Sequence, residues 1–318
     1  MVLAPFGDGS VGLGLYLHDL PADEAVERLV AQAVAAERVG FDGVSIAEHH
    51  AGYRSYLPNP LLASAWMLAA TKRVWCGPLP LLLPLRNPGL LAEDLAWLDA
   101  RYPDRVGAGL AAGYNAEDFT AVGSRNFATR GKAYGRRLRT VARLLRGDAN
   151  GLIARDHAVT WRGRRSFPLV GAAGGRAAAR RAAEAGVGVM MDSMAPVETL
   201  AVVAEEYRAA GGVGPRVLCR RVWVGDPPRD LFAAQLAGYQ SHAESGSWLQ
   251  GVGVNALISG SPAAIADRLV AEGRAATASA FALRVHISGL DPGAAEEQIH
   301  LVGEQVLPPL REALVRRR

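Results

Sequence analysis

The sequence is poor in cysteine, in lysine and in long apolar runs, and each scarcity excludes a class of protein. Its 318 residues include only 2 cysteines, Cys76 and Cys219, both in apolar, strand-like segments. This placement predicts reduced core thiols rather than a structural disulfide. No run reaches the roughly 18 apolar residues that a membrane-spanning helix needs, and no secretory signal is visible at the N-terminus. We therefore expect a cytoplasmic protein with no membrane partner.

The positive charge comes almost entirely from arginine. The formal net charge is +4, and lysine is confined to Lys72 and Lys132. The basic residues are scattered along predicted helices, and the single run of them is at 316–318. Nucleic-acid-binding proteins cluster such charges on one face. We interpret the arginine excess as compositional and predict no nucleic-acid partner.

Apolar strand-like runs alternate with amphipathic, alanine-rich segments along the whole chain. The predicted strands cover 12–17, 43–47, 74–83, 106–110, 167–171, 187–191, 217–224 and 282–287. The predicted helices cover 22–39, 60–71, 88–100, 129–145, 176–185, 197–210, 262–272 and 294–315. This alternation favours a (β/α)8 TIM barrel over an open sheet. No linker or internal repeat divides the chain, so we predict a single domain over 1–318.

Two predicted connections are longer than a barrel requires. Segment 113–126 follows the fourth strand, and segment 226–260, rich in tyrosine, glutamine and serine, follows the seventh. Long connections on this face of a barrel often act as lids or substrate walls. We therefore predict insertions after strands four and seven.

The second predicted strand ends in Glu48, His49 and His50. Three ionisable groups at the C-terminal end of a strand are typical of an active site in this class of fold. An imidazole, with an ordinary pKa of about 6.5, can donate or accept a proton near neutral pH. A metal centre would need further ligands at a suitable spacing, and the sequence offers none. We predict catalytic roles for His49 and Glu48 and no metal site.

Other chemically suggestive residues also follow predicted strands. A glycine-rich turn at 171–175 leads into a helix, where backbone N–H groups can bind an anion, although a plain tight turn is the alternative. Small residues at 107–113 would let a ring system approach the backbone. The candidates for a substrate wall are His18, His50, Tyr114, Asn115, Asp192, Ser193, Trp223 and His286. A lone histidine can equally be a packing residue.

Several segments, in their order and spacing, resemble the bacterial luciferase-like flavin-dependent monooxygenases. The resembling segments are 40–50 with its Glu-His-His end, 60–88, 91–99, 103–109 and 306–310. The resemblance implies a barrel that binds reduced FMN at the strand C-termini and forms a flavin C4a-(hydro)peroxide with O2. It also implies a homodimer formed through helices 60–71 and 88–100. A separate flavin reductase would supply the FMN, because no nicotinamide-binding G-x-G-x-x-G unit is present.

The resemblance also assigns roles to individual residues. His49 would lie in the flavin pocket and assist proton transfer, while Glu48 orients a neighbouring group. Leu79 and Pro80, in a strand that its prolines should kink, would form a cis peptide bond against the flavin ring, because a prolyl cis bond costs little. The implied cofactor-binding residues are Leu79, Pro80, Gly109, Gly113, Tyr114, Gly174, Gly175 and Arg176, the last three at the phosphate. This sequence lacks the hydroxyl side chains at the phosphate turn, and the arginine near Leu110, that some relatives have.

Three other functions remain compatible with these residues. The same fold supports hydride transfer with the deazaflavin F420, and some relatives are flavin-binding or flavin-storing proteins without catalytic activity. The histidine at position 49 argues against storage. A metal-dependent barrel hydrolase is the weakest alternative. The sequence predicts a small organic substrate but not its identity.

Overall fold

The computed structural model describes residues 3–162, 167–244 and 247–315, apart from the side chains of Arg162 and Trp248. Within them, ten strands form one sheet. The strands are β1 (Val11–Leu15), β2 (Gly43–Ile46), β3 (Trp75–Pro78), β4 (Leu81–Leu82), β5 (Ala108–Ala111), β6 (Leu169–Ala173), β7 (Gly188–Met191), β8 (Arg216–Val224), β9 (Leu257–Gly260) and β10 (Ala280–Arg284). The α-helices are α1 (Ala22–Arg38), α2 (Pro60–Ala70), α3 (Pro88–Arg101), α4 (Ala116–Ala121), α5 (Arg130–Leu145), α6 (His157–Arg162), α7 (Arg176–Glu184), α8 (Val197–Ala209), α9 (Arg229–His242), α10 (Pro262–Ala275), α11 (Pro292–Leu301) and α12 (Leu307–Val315).

The sheet closes into a parallel barrel, as predicted. Its strands run in the order β3-β2-β1-β10-β8-β7-β6-β5-β4, and β9 pairs only with β8. A parallel bridge between Cys76 and Val106 closes the ring, and the Cys76 N–H donates to the Arg105 carbonyl at 2.9 Å. The strand predicted at 74–83 is two strands, β3 and β4, interrupted at Leu79 and Pro80. These two strands together fill the third of eight barrel positions.

Four helices begin with a polar residue followed by proline. The cap residues are Asn59, Asn87, Ser261 and Asp291, and each side chain accepts a hydrogen bond from a backbone N–H of the first turn. Proline suits the first helical position because its missing N–H would have no partner there. These local signals fix where α2, α3, α10 and α11 start.

Two of the three apolar clusters in the described residues form the core of the barrel. The larger lies between the sheet and the surrounding helices. The smaller fills the barrel interior and includes Phe6, Trp75, Leu79, Met190 and Cys219. The Phe6 and Trp75 rings, with centroids 5.0 Å apart, occupy the lower part of this interior. A packed interior confines any ligand to the C-terminal ends of the strands.

The structure corrects the predicted connections. Segment 226–260, predicted as a loop insertion, contains α9 and the short strand β9, and segment 113–126 contains α4. Helix α6 was not predicted. The helix predicted at 294–315 starts at Pro292 and includes a π-helical turn at Val302–Val306 between α11 and α12. Short elements such as the four-residue β9 have too few residues for a hydrophobic period to show.

The cysteines are where the sequence places them. Cys76 and Cys219 are free and buried, and burial raises the pKa of the Cys76 thiol to about 12 and that of Cys219 to about 11. Both thiols are therefore protonated at neutral pH. No helix in the described residues is both long and apolar enough to cross a membrane.

Candidate active site

A cavity of about 350 Å³ opens at the C-terminal ends of the barrel strands. Its lining comprises Ala47, Glu48, His49, Tyr56, Pro80, Leu82, Ala111, Ala112, Gly113, Tyr114, Ala172, Gly174, Ala178, Met190, Asp192, Ser193, Met194, Cys219, Arg221, Tyr239, Ala243, Glu244, Ser247, Leu249 and Arg284. A second cleft, of about 450 Å³, lies between α10 and α12 on the outside of the barrel. The cavity at the strand ends is the candidate active site, because ionisable side chains from several strands converge there.

His49 faces this cavity and is held by a buried carboxylate that the sequence analysis missed. Its Nδ1 lies 2.8 Å from Asp118 Oδ2, and Asp118 Oδ1 accepts the His50 backbone N–H at 2.8 Å. Asp118, on α4, is completely buried. Since a carboxylate can only accept here, Nδ1 carries the proton and neutral His49 keeps its lone pair on Nε2. The arrangement can accept a proton from a bound molecule and return it.

Tyrosine rings surround the imidazole. Tyr53 stacks on His49 with ring centroids 4.3 Å apart, and Tyr56 and Tyr114 meet it edge-on at 4.5 and 5.5 Å. Burial raises the pKa of Tyr53 to about 12, and it raises the pKa values of Tyr56 and Tyr114 well above the ordinary tyrosine value. The hydroxyls therefore stay neutral at physiological pH and can donate hydrogen bonds.

Glu48 lines the cavity, but its carboxylate is fully engaged. Oε1 accepts from Arg86 Nη2 and from His50 Nε2, both at 2.8 Å, and Oε2 accepts from the Leu82 N–H at 2.7 Å. The carboxylate thus ties the end of β2 to β4, and the Glu48 side chain is completely buried. The predicted catalytic role of Glu48 is therefore better described as positioning. His50 serves as its partner and is not part of the cavity lining.

The residues predicted beside the flavin ring occupy different layers. The Leu79–Pro80 peptide bond is cis, which confirms that prediction, and Pro80 lines the cavity while Leu79 packs into the barrel interior. A Cβ on Gly109 would lie 2.3 Å from Leu79 Cδ1. Gly109 therefore makes room for the Leu79 side chain, not for a ligand as predicted.

The other predicted cofactor-binding residues, of which Gly174, Gly175 and Arg176 were assigned to the phosphate, are also divided. Gly113, Tyr114 and Gly174 line the cavity, whereas Gly175 and Arg176 are absent from its lining. Gly175 caps α7. The Arg176 guanidinium is exposed and pairs with Glu206 on α8, with Nη1 and Oε2 3.1 Å apart. A role for Arg176 at the phosphate stays a prediction and requires that this exposed pair separate.

Four of the predicted wall residues lie in packed surroundings outside the cavity lining. His18 Nε2 is 2.8 Å from Gln32 Nε2, and the His286 ring stacks on Tyr16. Burial lowers the pKa of both histidines, so they are neutral packing residues. The other two also have structural contacts: Asn115 caps α4, and Trp223 Nε1 donates to the Asp226 carbonyl at 3.1 Å. Asp192 and Ser193 do line the cavity.

Two arginines in the cavity lining were missed. Arg221 on β8 and Arg284 at the end of β10 point into the barrel, where the sequence analysis had placed arginine only on helices. The available signal was a charged side chain inside an otherwise apolar predicted strand. Arg220, the neighbour of Arg221, points outward and pairs with Glu272 on α10, as the alternation of a strand requires.

Comparisons with known proteins agree with this architecture. The model of the luciferase-like monooxygenase family matches residues 10–280. The alkanal monooxygenase alpha chain of Photorhabdus laumondii is 35% identical over 101 residues, which are 32% of this chain and 28% of that protein. The F420-dependent glucose-6-phosphate dehydrogenase of Tsukamurella paurometabola is 31% identical over 178 residues, covering 52% of this chain and 53% of that protein. The chain therefore spans less than a third of the first relative and about half of the second.

A solved structure extends the likeness to nearly the whole fold. The oxygenating constituent of 3,6-diketocamphane monooxygenase from Pseudomonas putida, solved with FMN, superposes with a TM-score of 0.69 over 94% of this chain and 98% of that one. At 18% identity this likeness concerns the fold alone. The family match covers most of the chain, including β2 with its Glu-His-His end. This protein belongs to the luciferase-like monooxygenase family.

Proposed function

We propose that this protein is the oxygenating component of a two-component monooxygenase that uses reduced FMN and O2. The observation that carries the proposal is the Asp118–His49 pair, which presents Nε2 to a cavity at the strand ends beside the cis Leu79–Pro80 bond. Reduced FMN, when bound, supplies the two electrons with which one oxygen atom of O2 enters the substrate and the other leaves as water. The chain supplies the binding surface and the proton-transfer group.

The lining fits a flat ring system with an anionic tail. Pro80 and the small residues Ala111, Ala112 and Ala172 leave space for a ring. Gly174 lines the same cavity just before α7 begins, and helix N-termini attract phosphate through their free N–H groups. We propose that these elements hold the ring and phosphate of FMN. His49 Nε2 would move the proton that the reaction requires.

F420-dependent hydride transfer is the second candidate function. A specific observation favours it, since the F420-dependent relative aligns over more of this chain than the alkanal monooxygenase does. A flavin-binding protein without catalytic activity is a weaker candidate, because storage requires no Asp118–His49 pair. A separate flavin reductase, a small organic substrate and a homodimer through α2 and α3 also remain proposals. Sedimentation of the purified protein would test the homodimer.

Anaerobic titration with reduced FMN, followed by rapid mixing with oxygenated buffer, tests the main proposal. We expect saturable binding and then the transient absorbance of a flavin C4a-(hydro)peroxide. Binding without that transient would contradict the monooxygenase assignment. Absence of binding, with tight binding of F420 in the same titration, would favour the second candidate.

Asp118→Asn tests how His49 is controlled. An asparagine amide can donate to Nδ1, which would move the imidazole proton to Nε2 and remove the lone pair from the cavity. We expect turnover to fall by ~10², and ¹⁵N NMR of the histidine rings to show His49 changing tautomer. Glu117→Gln, on the exposed side of α4, is the control and should change neither the turnover nor the His49 tautomer. An unchanged tautomer in Asp118→Asn would contradict the assignment.

Arg176→Ala tests the phosphate site. If the guanidinium reaches the phosphate, the variant should bind FMN several-fold more weakly while riboflavin, which lacks the phosphate, is affected less. Arg180→Ala is a matched control, because Arg180 pairs with the same Glu206 carboxylate. Equal losses of FMN and riboflavin affinity would show that Arg176 does not bind the phosphate. The backbone N–H groups at Gly174 and at the start of α7 would then be the remaining candidates.

A further inference from the structure

Arg221, which is buried, and Arg284, which is partly buried, form a pair of cations at the cavity. They are register partners on the neighbouring parallel strands β8 and β10, and both line the cavity. Gly14 on β1 is the next residue in the same row, and a Cβ there would lie 3.0 Å from Arg284 Cγ. The absence of a side chain at Gly14 therefore makes space for the Arg284 stem.

The partners of this arginine pair are neutral. Arg221 Nη1 donates to the His286 carbonyl at 3.1 Å and Nη2 to the Tyr239 hydroxyl at 2.9 Å, while its Nε is buried without a partner. Arg284 Nη1 donates to Ser193 Oγ at 3.2 Å. Among the described residues, no ion pair joins either guanidinium to a carboxylate.

The other ionisable groups of the cavity do not balance both charges. Glu48 is paired with Arg86, and Glu244 with Arg130. Asp192 is the remaining carboxylate of the lining, and its Oδ1 accepts the Met194 N–H at 2.8 Å. Burial raises the pKa of Tyr239 and of Tyr56, so these hydroxyls carry no charge. Two guanidinium cations facing one carboxylate leave a local excess of one positive charge.

Such an arrangement is costly for a folded protein. Like charges directly opposite each other on neighbouring strands destabilise a sheet, and a buried cation without a counter-ion loses hydration energy that no partner restores. Arginine stays charged at every pH that proteins meet, so deprotonation cannot relieve the cost. A bound anion would relieve it, and the forked guanidinium matches oxyanions in geometry.

We propose that Arg221 and Arg284 bind the anionic group of the substrate, and that the substrate is a singly charged small organic acid with an apolar body. This inference rests on the proposed function. Met190, Met194 and Leu249 line the same cavity and offer the apolar contacts. Side-chain contacts connect the pair to His49, since Arg221 bonds to Tyr239, Tyr239 bonds to Tyr56 at 2.8 Å, and Tyr56 meets the His49 ring. The anion is thereby anchored in the cavity that His49 serves.

Benzoate and benzamide are suitable probes, because they share a shape and differ in charge. Isothermal titration of the protein at low salt should show benzoate binding at least about tenfold more tightly than benzamide. Arg284→Met should abolish this preference and leave benzamide and FMN affinities within about threefold of the unmodified protein. Arg180→Met removes one positive charge from the outer surface of α7 and should leave the preference intact.

Three results would overturn the proposal. Equal affinity for benzoate and benzamide in the unmodified protein would show that the arginine pair selects no anion. A loss of FMN affinity in Arg284→Met as large as the loss for benzoate would assign the pair to the flavin. Retention of the preference in both Arg284→Met and Arg221→Met would place anion binding elsewhere. If neither variant folds, the comparison of benzoate with benzamide in the unmodified protein still decides, because equal affinities contradict the proposal without any variant.

The titration is independent of the oxygen reaction. Preferential binding of benzoate without formation of the oxygenated flavin would support the anion site and contradict the monooxygenase assignment. Formation of the oxygenated flavin without preferential binding of benzoate would support the proposed function and contradict the anion site. The two proposals therefore fail separately.

Discussion

His49→Ala is expected to lower turnover with reduced FMN by ~10²–10⁴ and to change FMN affinity by only a few fold. The variant removes Nε2, the proton-transfer atom at the cavity, and leaves the elements proposed to hold the ring and phosphate in place. Steady-state turnover and anaerobic flavin titration measure the two quantities separately. The lifetime of the oxygenated flavin after rapid mixing should shorten.

His50→Ala is the matched control for that experiment. His50 is the next residue, but its imidazole bonds to Glu48 and is absent from the cavity lining. Glu48 keeps its bonds to Arg86 and to the Leu82 N–H in this variant, so turnover should stay within a few fold. Unchanged turnover in His49→Ala, or an equal loss in His50→Ala, would refute the proposed role of His49.

Gly77→Ala is expected to cause a large loss of stability. A Cβ at position 77 would lie 1.7 Å from the Gly107 carbonyl oxygen, where β3 meets the start of β5 and the barrel closes. Because the clash is with a backbone atom, it can be relieved only if β3 and the start of β5 move apart. We expect a loss of more than ~3 kcal/mol in the free energy of unfolding, measured by urea denaturation, or a failure to fold.

Gly238→Ala provides the contrast. Gly238 lies within α9, and a Cβ there would meet no atom within 4 Å. Alanine favours a helix over glycine, so this variant should gain roughly 0.5–1 kcal/mol. If the Gly77→Ala protein had the same unfolding midpoint as the unmodified protein, the contact between β3 and β5 could adjust without loss of stability, and this prediction would be wrong.

The sequence predicts those features that depend on local pattern. The β-branched residues of β2 followed by Glu48, His49 and His50 indicated the strand and the site together. The family resemblance implied the cis bond, and Pro80 lowers its cost. The barrel followed from the alternation of strands and helices. Each strand, helix and proline in these patterns is recognised within a few consecutive residues, where periodicity and proline chemistry act.

The missed features depend on contacts between distant segments. Asp118 looked like an ordinary loop carboxylate, because its bond to His49 joins residues far apart in the chain. Arg221 and Arg284 become a pair only when β8 and β10 align. Arg176 was assigned from its place after a glycine turn, but Glu206 on α8 lies within reach of its side chain. Pairing of this kind is set by the tertiary fold and leaves no periodic trace in the sequence.

The hydrogen bond that fixes the His49 tautomer also gives the cavity a rule for selecting ligands. Because Asp118 holds a proton on Nδ1, the imidazole in its neutral form offers the cavity a lone pair and no N–H. A molecule that places a hydroxyl or an amine N–H against Nε2 gains a hydrogen bond there. An ether or a thioether in the same place has no hydrogen to donate, so two acceptors face each other. Both lose their hydration without gaining a hydrogen bond. Among inhibitors of equal shape, those with a donor at this point should therefore bind more tightly.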